Sequence, residues 1–400
     1  MGSLRDTRVR AFLVAEAVSA IGTWATLIAI WGYAAFEFDA TAAEVSLFGV
    51  ALTLPAVVLG PVVGAVIDRF GPRLTLGAAK AVGVAASLAL LTADDFRTLA
   101  LLSAVHGVVG AFTHPALQSL PPRIVAEHEL ARTNALVSLT DEFAIVMGPV
   151  VGALAIATVG FRGAFVVDAV TYLLGLVVLP AISIRDVEVD ADAPPVRLRD
   201  AFEGLRLIRR TPLLRRTVIA MSSVHLLYGA AILAEPLYVR DVLERSPSVF
   251  AALQTAFGVC LVLGGLLVAR LSDRLATFGW VAFGAAASGV TALVYFATAQ
   301  LLVAFAGVAL WGLFTALLSG PSRTLLQRNS PEAVHGRVLA TDFVAASAAQ
   351  LVGIGVTGVL ISTFGVPTAM TALGLSVTLV AVGLDRGQRR EASIAPAVTG

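Results

Sequence analysis

Twelve stretches of about twenty mainly apolar residues run through this chain of 400, the first from Ala11 to Ala34 and the last from Val366 to Gly383. A helix needs about 20 such residues to cross roughly 30 Å of hydrocarbon, and in lipid each backbone polar group must find its partner within the segment. The stretches therefore predict an all-α membrane protein of twelve transmembrane helices. Composition points the same way: 58% of residues are hydrophobic and 14% charged, with a mean hydropathy of +0.88. A water-soluble domain of this length could not bury that much apolar surface. The first stretch follows Arg5, Arg8 and Arg10 but is too long for a signal peptide and lacks a small-residue cleavage site, so it is expected to stay as the first span.

An Asp-Arg pair occurs twice, as Asp68-Arg69 after the second stretch and Asp273-Arg274 after the eighth. The offset of 205 that relates them also relates Arg123 to Arg328, Arg132 to Arg337, Gly148 to Gly353 and Gly160 to Gly365. Five matches at one register, three of them in charged loops, indicate duplication of a six-helix unit. The expected organisation is an N-terminal bundle over 1–184, a linker over 185–216, a C-terminal bundle over 217–385 and a tail over 386–400. Spaced acids and Pro194-Pro195 open the linker. Leu198, Phe202, Leu205 and Ile208 then share one helical face, among Arg197, Arg199, Arg206, Arg209 and Arg210. That pattern fits either a helix on the inner leaflet or a simple tether.

Of the 28 basic residues, only Arg97, Arg162, Arg240 and Arg245 fall on the outer side of these spans. Retention of Lys and Arg on the cytoplasmic side then places both termini in the cytoplasm. The net charge of +1 gives no reason to expect a nucleic-acid partner. Cys260 is the single cysteine, which rules out an intrachain disulfide and a cysteine metal cluster. The one lysine, Lys80, stands between Ala79 and Ala81, so no phosphate-cradling G-x-x-x-x-G-K-[ST] loop exists. H-E-x-x-H and G-x-S-x-G are also absent. The chain is expected to be neither an enzyme nor a holder of a metal or cofactor, and to use a gradient for any pumping.

Gly64-Ala-Val-Ile-Asp68-Arg69-Phe-Gly71-Pro-Arg73, between the second and third spans, resembles the loop signature of the major facilitator superfamily. The resemblance covers essentially the whole chain, with a weaker second copy in which Ala269 replaces the first glycine. It implies two pseudo-symmetric six-helix bundles and a conformational latch, in which Arg69 or Arg73 meets Asp342 on the eleventh span. The mirror contact would join Arg274 to Asp141 or Glu142. A plain positive-inside anchor is the alternative for these basic residues. Gly148-Pro149-Val-Val-Gly152 in the fifth span resembles the Gly-Pro motif of exporters in this superfamily, with Ala144 where an earlier glycine is expected. There Pro removes a backbone donor and Gly permits close helix approach, so a bend is expected. Gly107 to Ala116, Leu325 to Arg328 with Pro331 and Gly336-Arg337-Val338, and Asp168 to Tyr172 look like the enterobactin-exporter and macrolide-efflux branch. The chain departs from many proton-driven exporters by having Ser103 and His106-Gly107 where those carry an Arg and a Gln-Gly pair.

Ionisable groups inside spans are costly and mark candidate sites. Glu16 shares a helical face with Ser19 and Thr23, and reads either as a proton carrier or as an acid snorkelling to the interface. Asp168, with Thr171 and Tyr172 on its face, suits an interhelix hydrogen bond. His106 and His225 are groups that titrate near neutrality, or packing histidines. Glu235, beside Pro236, suits specificity or a water-facing rim. By resemblance the first, fourth, seventh and tenth spans line a cavity, gathering Glu16, Ser19, Thr23, His106, His225 and Trp311. Acids there without a clear basic partner would favour a neutral or cationic substrate. The expectation is a monomeric inner-membrane transporter that exports a drug-like or siderophore-like small molecule by alternating access, with protons as coupling ion. A metabolite facilitator or importer, and a non-transporting sensor or scaffold, are the competing readings.

Overall fold

The computed structural model describes residues 6–125, 127–182, 198–331 and 335–394. The helices in chain order are α1 (Thr7–Phe36), α2 (Ala42–Val58), α3 (Gly60–Phe70), α4 (Pro72–Ala89), α5 (Phe96–Gln118), α6 (Pro121–Ile124) and α7 (Glu127–Val178). They continue as α8 (Leu198–Arg210), α9 (Pro212–Asp241), α10 (Pro247–Leu275), α11 (Phe278–Phe296), α12 (Leu301–Arg328) and α13 (His335–Ile394). Among the described residues nine helices are long and apolar enough to cross a membrane. Two of these are double spans, interrupted where α7 and α13 break, and the pair α2–α3 supplies the remaining crossing. The architecture is the twelve-span, two-bundle membrane fold.

Local chemistry sets the ends of the elements. The Asp6 carboxylate accepts from Arg8 N at 2.8 Å and opens α1. A reciprocal capping box between Thr41 and Glu44 opens α2. Asp95 accepts from Thr98 N at 2.9 Å and opens α5. The breaks in α7 and α13 fall at Gly160 (φ 74°, ψ −178°) and Gly365 (φ 77°, ψ 166°), a backbone region that is essentially glycine's alone.

Contacts divide the chain into two units, one of Met1–Asp192 with Arg245–Thr255, the other of Ala193–Glu244 with Ala256–Gly400. The register of 205 runs through both. It carries α1 onto α9 and α2–α3 onto α10 end for end, and Gly160 onto Gly365. It also carries a side-chain bond. Tyr33 donates to the Ala93 carbonyl at 3.2 Å, and Tyr238 donates to the Thr298 carbonyl at 2.7 Å. Gly107 lies against the Leu52 carbonyl as Gly312 lies against that of Phe257, because neither contact leaves room for a Cβ.

In the first unit α1 packs on α7, α2 on α5, and α4 on both α5 and α7. An apolar core closes one end, with Phe12, Leu76, Ala116, Leu120 and Leu179 at its centre. In the second unit α13 packs on α9 and α11, and α11 on α12. The amphipathic helix α8 forms and buries Ile208 against Leu214, Val218 and Leu326. Phe202's side chain lies outside the described residues.

Candidate functional site

The interior of the first unit holds a polar cluster in an otherwise apolar bundle. Lys80, on α4, is fully buried, and its ammonium lies 3.0 Å from Glu16 Oε2 on α1. The same ammonium donates to Ser19 Oγ, one turn further along α1, at 3.1 Å. It also sits 5.6 Å from the centre of the Tyr172 ring on α7, which presents its electron-rich face to the cation. A buried charge stripped of its counter-ion is strongly destabilising, so Glu16 and Lys80 each require the other. Gly175 makes the space, since a Cβ there would stand 2.7 Å from Lys80 Nζ, and Gly83 admits the Tyr172 ring in the same way.

Asp168, one turn before Tyr172 on α7, is fully buried as well. Ser87 donates to its Oδ2 at 2.8 Å and Thr23 to its Oδ1 at 3.4 Å. Thr23 also lies 3.2 Å from the Tyr172 hydroxyl, and Thr171 donates to the Asp168 carbonyl. His106, on α5, brings Nε2 to 3.2 Å from Asp168 Oδ2 and sets its ring edge-on to Tyr172. That approach lies off the hydrogen-bond line, and among the described residues neither ring nitrogen makes a hydrogen bond. Four helices thus deliver two acids, one ammonium and one imidazole to a space closed to solvent.

Several expectations change at this point. Glu16 begins about 14 Å into α1 at 1.5 Å per residue, and it is 4% exposed and ion-paired, so it does not snorkel. It also has a basic partner, which the expectation of unpaired acids denied. Glu235 is 4% exposed, beside Tyr295, so it is not a water-facing rim group. Glu16, Ser19, Thr23, His106 and Asp168 come together, but they do so inside the first unit. His225 and Trp311 belong to the second. His225 Nδ1 lies 2.9 Å from the Met221 carbonyl, and Trp311 is buried among Tyr228, Phe257 and Phe296.

The loop motif is described in part. Arg73 donates to the Pro180 carbonyl at 2.9 Å, Gly71 has φ 79°, and Arg69 is exposed with its guanidinium over the Phe70 ring. Arg274 is exposed near the end of α10, and Asp342 lies early in α13. The side chains of Asp68, Asp141, Glu142 and Asp273, and the surroundings of Gly64, lie outside the described residues. In the Gly-Pro motif, Gly148 rests on Trp24 and Gly152 on Ala25, which draws α7 close to α1. The dihedral break in α7 comes at Gly160, eleven residues after Pro149.

Lys80 and Ser87 are the members that sequence reasoning did not place. The signal for Lys80 was available: it is the single lysine, standing mid-span between alanines, where a charge survives only with a partner.

The sequence profile of the family described as Major Facilitator Superfamily matches residues 12–341. The multidrug efflux pump Tap of Mycolicibacterium fortuitum is 25% identical over 397 residues, spanning 92% of this chain and 93% of its own. The enterobactin exporter EntS of Shigella flexneri is 24% identical over 297 residues, spanning 72% and 70%. Among solved structures, a bacterial homologue of the human lysosomal transporter Spinster matches with a TM-score of 0.78 at 14% identity, over 97% of this chain and 98% of that one. Likeness at that identity speaks to the fold.

Proposed function

This chain belongs to the major facilitator superfamily, and from that premise we propose that it exports a small drug-like or siderophore-like molecule from the cytoplasm in exchange for protons. The observation that carries the reading is the buried cluster of Glu16, Lys80, His106 and Asp168. Apolar packing would fill the same space at lower cost, so a charged cluster there is best accounted for by transport. The efflux pumps among its relatives support export as the direction.

In this reading the two duplicated halves, 1–184 and 217–385, rock about a central site, with both termini in the cytoplasm of an inner-membrane protein. The latch is assigned to Asp68-Arg69 and Asp342, with Asp273-Arg274 as the weaker copy. Because Arg73 donates to the Pro180 carbonyl at the end of the sixth span, Arg69 is the arginine proposed as the partner of Asp342. A double-mutant cycle of Arg69→Ala and Asp342→Asn on transport rate tests this. A coupling energy of about 0.5 kcal/mol or more is expected, and strict additivity would contradict the latch.

The transport reading is tested in everted membrane vesicles carrying the protein, with an imposed pH gradient and a panel of cationic dyes, macrolides and siderophores. Gradient-driven accumulation of at least one compound, abolished by collapsing the gradient, is expected. Accumulation indifferent to the gradient would remove proton exchange. Equilibration without accumulation would point to a facilitator, and no movement at all to a sensor.

A further inference from the structure

We infer that the exchangeable proton of this transporter resides on the His106–Asp168 pair, one proton per molecule, while Lys80 holds Glu16 as a fixed anion that carries none. The inference rests on the proton-exchange reading above and locates it.

Counting charge leads to the assignment. Lys80 meets Glu16 at 3.0 Å and Ser19 at 3.1 Å, with the Tyr172 ring closing its third side. Its positive charge is matched one to one by Glu16. Asp168 accepts from the Ser87 hydroxyl at 2.8 Å, while the single Thr23 hydroxyl proton is divided between the Ser19 carbonyl at 3.1 Å and Asp168 at 3.4 Å; neutral hydroxyls of this kind stabilise an anion but do not cancel it. The group beside it that can supply a positive charge is His106, at 3.2 Å. With His106 neutral and both acids ionised the cluster carries one net negative charge. With one proton held by either His106 or Asp168 it carries none.

Among the described residues no other charged side chain contacts His106 or Asp168. α1 contributes Glu16, α4 contributes Lys80, and α7 contributes Asp168 and Tyr172. α2, which also packs on α5, offers Glu44, engaged in its capping box at the far end, and α3 presents the exposed Arg69. A net charge in a water-excluded bundle is costly, whereas a neutral cluster is tolerated. The closed interior seen here therefore suits the loaded state, and releasing the proton requires access to water or to a charged substrate. His106 Nδ1 and Ser103 Oγ, three residues apart on α5, are both buried with no hydrogen-bond partner among the described residues. They mark the side on which the pair would exchange its proton.

Duplication supplies an independent argument. At the register of 205, Glu16, Lys80, Ser87, His106, Asp168 and Tyr172 correspond to Met221, Ala285, Ala292, Trp311, Leu373 and Val377. The second unit repeats the helices, the glycine breaks and the tyrosine bond, yet its six equivalent positions are apolar. The fold does not need charge at this level, so the charge in the first unit serves another purpose.

The test is spectroscopic and needs no transported compound. The full chain is reconstituted in lipid nanodiscs with 15N-labelled histidine and with carboxyl-13C aspartate or glutamate in separate samples, then compared at pH 8 and pH 5. Uptake of one proton is expected, seen as an imidazolium signal lost in His106→Gln or a protonated aspartate signal lost in Asp168→Asn. Whichever signal appears is expected to survive the double substitution Glu16→Gln/Lys80→Met. A protonated glutamate signal that Glu16→Gln removes, or histidine and aspartate responses that neither His106→Gln nor Asp168→Asn reduces, would overturn the inference. The chain holds five histidines, so the signal is assigned by its loss in His106→Gln or in Asp168→Asn, and either variant alone suffices where the other fails to fold. Gradient-driven efflux together with a silent pair would refute this assignment alone, whereas a titrating pair without gradient dependence would refute the exchange reading.

Discussion

Lys80 and Glu16 stabilise the first unit only as a pair. Removing the cation with Lys80→Met leaves a buried carboxylate without its counter-charge, at an expected cost of about 3–5 kcal/mol. Adding Glu16→Gln should recover most of that loss, because two neutral groups of similar size replace two opposed charges. Thermal unfolding of the purified protein in detergent, followed by fluorescence, measures both. A single substitution as mild as the double would mean that the pair contributes little. At this scale the sequence was partly legible. Helical spacing placed Glu16, Ser19 and Thr23 on one face, and Asp168, Thr171 and Tyr172 on another. It could not show which two faces meet, since that depends on how α1, α4, α5 and α7 are rotated in the bundle. Lys80 therefore appeared as an obstacle to phosphate binding when it is the partner of Glu16.

The helix breaks make the clearest demands at the level of elements. Gly160 and Gly365 adopt a conformation that an L-residue enters only under strain, so Gly160→Ala and Gly365→Ala should each cost about 1–3 kcal/mol. They lie in separate units, so their effects are expected to add, and thermal unfolding of the two single variants and the double checks this. At the start of α5, hydrogen bonds from the Thr98 backbone N–H and then its hydroxyl hold the Asp95 carboxyl below its usual range. A depressed carboxylate stabilises the fold above its unfolded titration range and loses that contribution as pH falls through the folded one. Asp95→Ala should therefore lower stability slightly near neutrality and flatten its decline in acid, read from unfolding curves between pH 7 and pH 3. The spans were legible because apolar length is a strong local signal. Their exact ends were less so: α1 begins at Thr7, ahead of Ala11, because Asp6 caps it through a side chain that hydropathy does not register.

Across the whole molecule, duplication and departure from duplication carry the account. The register of 205 was readable from charged loops and glycines, and it reappears in paired helix ends, paired breaks and a paired tyrosine bond. The difference between the halves was also present in the sequence, at Met221, Ala285 and Trp311, but it acquires meaning only when Glu16 is found paired with Lys80 and His106 beside Asp168. The central claim is that the polar cluster of the first unit couples movement of a small molecule to movement of a proton. Its most direct test is the pH-gradient response of substrate accumulation in reconstituted vesicles, compared between the parent protein and Asp168→Asn. The account predicts that the parent's accumulation follows the gradient and that the substitution abolishes this response. A response of parental size in Asp168→Asn would contradict it.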